Sequence, residues 1–261
     1  MAHLYRDAAE QLREHGRFGR QATERRLDFR FTLEADYAGL LTRAFFGVAQ
    51  RVQFQVVDGP GGVLLPDDSV SEEQAEKVRR SLIFAELIEA FRAADSIILC
   101  ADATDEQASS AFFKSIMEIL RMLPDGRLAC RQMLILLTKA ERYFARYDER
   151  AEQTARTTDP WPHVLRMMTR AGLGNVLLAV SHRRTEISST WVSAHGFLPD
   201  GRSNMDSSGD RLRAAAGADA QSRYWQLWQP FQVLDPLVYL TTRAPGNLWF
   251  VDPSNIARQR A

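Results

Sequence analysis

The sequence predicts an α/β fold, and two features of its hydrophobic pattern support this prediction. In the middle of the chain, short apolar runs of strand length alternate with longer segments of helical periodicity, an order typical of βαβ units. Ahead of them, residues 27–33 and 51–57 alternate apolar and polar side chains, as half-buried strands do. We therefore expect a three-layer architecture, with a mostly parallel sheet and an antiparallel edge that carries these two strands.

Spacing and turn residues place the elements of the first half of the chain. A helix over 2–15 has apolar residues at helical spacing and ends at a glycine. After the two alternating strands, a helix over 71–94 begins at a serine and carries acidic residues in its first turn. A buried strand over 96–101 and a helix over 105–122 follow, and Pro124 begins the turn that ends this helix.

The second half is placed in the same way. An apolar run over 131–138 predicts another buried strand, and a helix over 159–171 begins with an aspartate and a proline. The run 175–180 predicts a third buried strand. Residues 182–222 are rich in Ser, Gly, Asp and Arg, which indicates a long polar loop or insertion. Residues 223–242 predict a closing aromatic helix that two prolines interrupt.

Length and composition are those of an ordinary globular protein. The chain has 261 residues and no internal repeat or linker, so we expect one domain over 1–261. Its 33 basic and 33 acidic side chains balance, which argues against nucleic acid or an anionic membrane as a partner bound by bulk charge. Cys100 and Cys130 lie in apolar runs, as reduced core residues do. Without a membrane span or a signal peptide, we expect a cytoplasmic protein.

Ligand sites of open parallel sheets lie at the carboxyl ends of the strands, and a glycine-rich motif follows one predicted strand. Asp58 opens an Asp-Gly-Pro-Gly-Gly turn that contains Gly61 and Gly62. A carboxylate there is a hard ligand for Mg²⁺, and glycines let backbone N–H groups approach a phosphate. Thr23, in the loop before the first alternating strand, could supply a hydroxyl ligand to the same Mg²⁺ ion. A tight turn after a strand explains the motif equally well.

A second motif, Thr-Lys-x-Glu, follows the strand over 131–138. Lys139 can lay its stem along a planar base, and Glu141 can accept two N–H donors from guanine. The alternative is a capping box, in which the Thr138 side chain caps a helix and the Glu141 side chain accepts a hydrogen bond from the Thr138 backbone N–H. The residues leave both interpretations open.

Two serines complete the set of strand-end residues. Ser181 ends the apolar run 175–180, and Ser193 begins a Ser-Ala pair a little further on. His182 and His195 lie in the same polar stretch, without the spacing of a metal site, and are expected to be solvated loop residues.

The order of these pieces resembles the small-GTPase-like domain of P-loop NTPases, and in detail the bacterial double-GTPase type. The loop from Gly16 to Thr23, the Asp-Gly-Pro-Gly-Gly turn and the aromatic segment from Trp228 to Leu237 carry the resemblance, which spans roughly residues 3–242. It implies a Ras-like architecture and a regulatory GTPase that binds GTP or GDP with Mg²⁺ and acts through partner proteins.

The resemblance also implies a role for each site residue. Thr23 and Asp58 would hold Mg²⁺, while Gly61, together with Gly62, would meet the terminal phosphate. The strand-end motif would read the base: Lys139, after Thr138, would flank the guanine ring, and Glu141 would stand where the family has an aspartate. Ser181 or Ser193 would be the serine of the last base-contacting loop.

Two parts of the family pattern are missing from this chain. A Walker A loop needs a lysine after a glycine, but the three lysines follow Glu76, Phe113 and Thr138. The first strand, which precedes that loop in the family, is missing as well. We therefore expect a truncated or degenerate GTPase-like domain with weak or no nucleotide binding, and GTP hydrolysis only if a further N-terminal segment exists.

Three explanations of the gap stay open. The true chain could begin earlier, a partner protein could supply the missing strand, or the strand over 51–57 could close directly against 96–101. The functional alternative is a non-catalytic protein-interaction module that keeps the GTPase shape. A weaker one is an unrelated hydrolase that uses Asp58 and His195.

Overall fold

A computed structural model describes residues 27–35, 50–58, 82–123, 130–171, 185–206, 213 and 229–251. The strands are β1 Leu27–Ala35, β2 Gln50–Asp58, β3 Ser96–Asp102, β4 Gln132–Thr138, β5 Glu186–Trp191 and β6 Trp249–Phe250. The helices are α1 Leu82–Ala93, α2 Glu106–Met122, α3 Ala140–Phe144, α4 Ala151–Thr157, α5 Trp161–Arg170 and α6 Asp235–Thr242, with a 3-10 helix at Ala145–Arg150 between α3 and α4.

The main sheet has four strands in the order β3-β4-β5-β6. β3, β4 and β5 run parallel, and β6 pairs antiparallel with β5. The protein therefore has a mixed α/β fold with a mostly parallel sheet and an antiparallel edge, which confirms the predicted fold class at this level.

The predicted hairpin forms, but not at the edge of the main sheet. β1 and β2 pair antiparallel along their whole length, from Leu27 opposite Asp58 to Ala35 opposite Gln50. In the part of the chain that the structure describes, they make a separate two-stranded sheet, which α6 contacts. The antiparallel edge of the main sheet is β6 instead. The alternative in which the strand over 51–57 closes against 96–101 is wrong, because β2 pairs with β1 and not with β3.

Buried apolar runs and helix caps were placed well from the sequence. β3, β4 and α2 begin and end within one residue of their predicted bounds. Asp105 caps α2, with its carboxylate accepting from the Ala108 N–H at 2.9 Å. The predicted helix over 2–15, the residues 71–81 of the next helix and the strand over 175–180 lie outside the described residues.

β5 lies inside the stretch 182–222, for which a polar loop or insertion was predicted. Its sequence, EISSTW, is polar, yet every residue after Glu186 is buried. Burial is possible because the hydroxyls have partners: Ser189 donates to the Ile135 carbonyl at 2.8 Å, and Thr190 donates to Gln232 Oε1 at 2.7 Å. Of the predicted closing helix over 223–242, residues 223–228 lie outside the described residues, and residues 229–234 are not helical, since α6 begins only at Asp235.

Alternate residues of β4 belong to two apolar clusters. Met133, Ile135 and Leu137 lie in the larger core, which they share with α2 and α5, whereas Leu134 packs with Tyr239 of α6 in a smaller cluster. The same alternation corrects one prediction on β3: Cys130 is buried, but Cys100 is exposed, because it lies opposite the neighbouring side chains that enter the larger core. Among the described helices, none has the length and apolar character needed to cross a bilayer.

Candidate functional site

The loops that follow β3, β4 and β5 are joined by backbone hydrogen bonds at the carboxyl end of the sheet. The Ala103 N–H donates to the Thr138 carbonyl at 3.1 Å, and the Ala140 N–H donates to the Val192 carbonyl at 3.2 Å. These bonds hold three loops side by side. We call the polar side chains on them the strand-end site; they are Asp102, Thr104, Thr138, Lys139, Glu141 and Ser193.

The Thr-Lys-x-Glu motif does not form a capping box. Thr138 turns its hydroxyl toward β3, donating to the Ala101 carbonyl at 3.1 Å. The N-cap of α3 is Lys139, which makes no side-chain capping bond. Its backbone is left-handed, with φ 60° and ψ 35°, a conformation that costs a non-glycine residue roughly 1 kcal/mol. The turn therefore presents the lysine at the strand end at the expense of backbone strain.

Lys139 is paired with a residue that the sequence analysis did not single out. Its ammonium group forms an ion pair with Asp102 Oδ2 at the end of β3. Asp102 Oδ1 accepts from the Thr104 N–H at 2.8 Å and from the Thr104 hydroxyl at 2.7 Å. Partial burial disfavours the charge on Asp102, but the bonds from Lys139 and Thr104 outweigh that effect and lower its pKa. Asp102 is therefore ionised and fully engaged at neutral pH.

Glu141 is buried behind this ion pair. Its side chain is 2% exposed, and Oε2 has no hydrogen-bond partner among the described residues. Burial raises the pKa of Glu141, and the Ser193 hydroxyl, which bonds to the carboxylate, only partly offsets that rise. A buried carboxylate oxygen without a donor is costly, and no described residue supplies a donor to Glu141 Oε2.

Ser193 fixes the loop after β5. Besides its bond to Glu141, its Oγ accepts from the His195 N–H at 3.1 Å and from the Gly196 N–H at 2.6 Å. Gly196 has φ +66°, and a Cβ added there would lie 1.6 Å from the Gln229 carbonyl oxygen. Glycine is thus required for the loop to turn back under the segment that leads to α6.

The structure brings together four of the nine predicted site residues. Thr138, Lys139, Glu141 and Ser193 share the strand-end site, and the base-reading roles that the resemblance implies for them stay a prediction. Asp58 ends β2 in the separate hairpin. Thr23, Gly61, Gly62 and Ser181 lie outside the described residues.

Magnesium ligands stay a prediction for Thr23 and Asp58. Within the described ranges, no group of three or more His, Cys, Asp or Glu side chains is arranged to hold a metal ion. The two carboxylate oxygens of Asp102 are already engaged by Lys139 and Thr104, so the strand-end site does not fit Mg²⁺.

Asp102 could have been found from the sequence. It directly follows the apolar run 96–101, the same position relative to a strand that drew attention to Asp58 and Thr138. It was missed because the strand was predicted to end one residue earlier. Its partner, Lys139, is 37 residues away in the chain, and no local pattern joins them.

Comparison with known proteins adds no relative. No protein-family model matches the chain, and neither curated proteins nor solved structures show a significant match to it.

Proposed function

We propose that this chain is a regulatory GTPase-like domain, whose strand-end site binds the base of a guanine nucleotide weakly and which hydrolyses GTP slowly or not at all. The carrying observation is Glu141, a buried carboxylate with one oxygen to which none of the described residues donates. Guanine offers two adjacent N–H donors, at N1 and at the 2-amino group, which such a carboxylate can accept. The Ras-like, three-layer architecture is part of the proposal, supported by the order of the strand-end motifs along β3, β4 and β5.

Lys139 and Asp102 support the same ligand. The lysine side chain is half exposed, so its aliphatic stem can lie against one face of a planar ring. Because Asp102 neutralises the ammonium group, the aliphatic stem of Lys139 is the part of the side chain that would contact the ligand. A flat, uncharged base with N–H donors suits this surface better than a phosphate does.

The site also discriminates between purines. Adenine places a ring nitrogen acceptor where guanine has its N1–H, so it would face the Glu141 carboxylate with a lone pair. A hydrogen bond to a charged group contributes about 1.5–3 kcal/mol. We therefore expect guanosine to bind at least roughly tenfold more tightly than adenosine.

The proposed setting is cytoplasmic, with partner proteins that respond to the bound nucleotide. The support for this location is that both cysteines are free thiols, as they are in a reducing compartment.

The test is a competition titration of the full chain. Fluorescent GDP is bound first, and guanosine, adenosine and xanthosine are added as competitors to wild type, to E141Q and to E149Q, an exposed glutamate of the 3-10 helix that serves as control. Wild type and E149Q should prefer guanosine. E141Q should lose that preference. Its affinity for xanthosine should rise, because the glutamine amide N–H can donate to the 2-carbonyl of xanthine. Equal competition by guanosine and adenosine, or an unchanged preference in E141Q, would refute base reading.

Exposed apolar side chains favour the second candidate, the non-catalytic interaction module. In and beside α6 and β6, Val233, Leu234, Val238, Trp249 and Phe250 are at least 36% exposed, and large exposed apolar residues that cluster are typical of docking surfaces. The same titration separates the two functions, since an interaction module binds none of the three nucleosides.

A further inference from the structure

His163 is a buried histidine of α5 that contacts the loop carrying Asp102. Its side chain is 3% exposed. Nε2 lies 3.1 Å from the Ala103 carbonyl oxygen, and Nδ1 lies 2.6 Å from Arg166 Nη2. Ala103 lies between Asp102 and Thr104, so the imidazole contacts the backbone that carries two residues of the strand-end site.

These partners determine the protonation state of the ring. A carbonyl oxygen can only accept, so Nε2 must carry a proton and donate it to Ala103. A guanidinium can only donate, so Nδ1 must be unprotonated and accept from Arg166. The geometry therefore requires the neutral imidazole with its proton on Nε2.

The contact fixes one residue of the site at both its backbone N–H and its backbone carbonyl. The Ala103 N–H is held by the Thr138 carbonyl of β4, and the Ala103 carbonyl is held by His163. Asp102, on one side of this residue, and Thr104, on the other, are bonded to each other through the Asp102 carboxylate. The position of Asp102, and with it the position of Lys139, depends on this anchored residue.

We propose that His163 is a positioning residue for the strand-end site, which in its neutral form holds the Ala103 carbonyl and which loosens the Asp102–Thr104 loop when it is protonated. A proton on Nδ1 removes the bond from Arg166 and places two cations 2.6 Å apart. The ring or the arginine must then move. The consequence for ligand affinity rests on the proposed base-binding function, whereas the loosening of the loop does not.

The charges around the ring set the pH range of this effect. Burial lowers the pKa of His163, and the nearby Arg166 lowers it further; the Ala103 carbonyl and Glu106 of α2 act in the opposite direction, and Arg146 of the 3-10 helix lowers it again. The Tyr143 ring of α3 and the Trp191 ring of β5 cover the imidazole without charge.

Glu106 is the group that can receive Arg166 when the histidine is protonated. Its Oε1 already lies 3.0 Å from Arg166 Nε and 4.0 Å from His163 Nδ1, and its Oε2 lies 2.5 Å from Arg170 Nη1. Because the pKa of His163 in the folded protein lies below the ordinary value of about 6.5, the neutral form is complete above that value. The anchoring is lost as pH falls through the lowered pKa.

The first measurement needs no ligand. Backbone amide signals of Ala103 and Thr104 and the His163 ring signals are followed by NMR from pH 8 to pH 5 in wild type and in H163Q, whose amide can donate to Ala103 but cannot titrate. The two amides should show a shift with the same midpoint as the ring in wild type, and that component should be absent in H163Q. A ring that titrates while both amides stay still would overturn the proposal, whether or not a base binds.

The second measurement joins the anchoring to affinity. As pH falls from 7.5 through the range in which the NMR signals show the His163 ring to titrate, the affinity for fluorescent GDP should fall further in wild type than in H163Q. The comparison is needed because Glu141, whose pKa is raised, also becomes protonated in acid, and it does so in both proteins. H195Q, in which a partly buried histidine is replaced, should behave as wild type does. Equal falls in wild type and H163Q would assign the pH dependence to Glu141 and contradict the role of His163 in binding.

Discussion

The ammonium group of Lys139 and the carboxylate of Asp102 form an ion pair between the ends of β4 and β3. Lys139 makes this contact from a left-handed backbone conformation, with φ 60°. The turn alone would favour glycine at this position, because glycine adopts the left-handed conformation without strain. The presence of a lysine therefore indicates that its side chain has a function. The function that we propose is to present the lysine stem to a planar base.

Replacing Lys139 by glycine and by alanine separates the backbone from the side chain. Both K139G and K139A lose the ammonium group, but only K139A keeps a Cβ in the left-handed region. We expect K139G to be more stable than K139A by about 1 kcal/mol, measured by urea denaturation, although both lose affinity for fluorescent GDP.

Arg243 offers a matched control for this pair. It ends α6 with φ 62°, far along the chain from the strand-end site, so R243G and R243A should differ in stability in the same direction without any effect on the affinity. If K139G binds the nucleotide as well as wild type does, the lysine is not part of the base site.

Asp102 should make stability depend on pH in the acid range. Its pKa is lowered in the folded protein, so its contribution is present above the ordinary aspartate value of about 3.9 and is lost as pH falls through the lowered pKa. D102N should therefore reduce the free energy of unfolding at pH 7 by about 0.5–1 kcal/mol, and by progressively less as pH falls below about 3.9. D95N, at an exposed position before β3, should match wild type throughout this range. A D102N penalty that does not shrink as pH falls would show that shape, and not charge, is what Asp102 contributes.

Gly196 should tolerate no side chain. In G196A, the new Cβ would lie 1.6 Å from a backbone oxygen of Gln229 in a left-handed conformation, so a backbone segment has to move. We expect a loss of at least about 2 kcal/mol in the free energy of unfolding.

Gly246 provides the comparison for Gly196. It also has positive φ, but a Cβ there meets Asp235 Oδ1 at 2.8 Å, a side-chain atom that accepts from Asn247. G246A should cost the left-handed strain, about 1 kcal/mol, and a displacement of this side chain, and so less than G196A, in which backbone has to move. Equal costs for G196A and G246A in the same urea denaturation experiment would mean that the Gln229 backbone gives way easily.

The parts of the fold that could be predicted from the sequence are those whose stability is local or purely apolar. β3 and β4 are apolar runs because parallel strands are buried on both faces, and α2 carries its own aspartate cap. β5 could not be predicted, because the hydroxyls of Ser189 and Thr190 find their partners only in residues 42–57 positions away.

The candidate site divides in the same way. Thr138, Lys139 and Glu141 could be found because they are adjacent in the chain and follow a recognisable strand. The ion pair from Asp102 and the anchoring by His163 depend on partners 37 and 60 residues away, and only the packing of the strands and helices brings them together.

Glu141 should show the conflict between stability and binding most directly. Its pKa is raised by burial in the folded protein, so the unfolded chain ionises more readily, and the folded state loses stability as pH rises above the ordinary glutamate value of about 4.3. E141Q removes that penalty. We expect E141Q to exceed wild type by about 1 kcal/mol in the free energy of unfolding at pH 7 and to match it near pH 4, while its guanosine affinity falls. E149Q should change neither quantity. If E141Q is instead less stable than wild type at pH 7, the carboxylate already has its donors in the unliganded protein, and the argument that a base supplies the missing one fails.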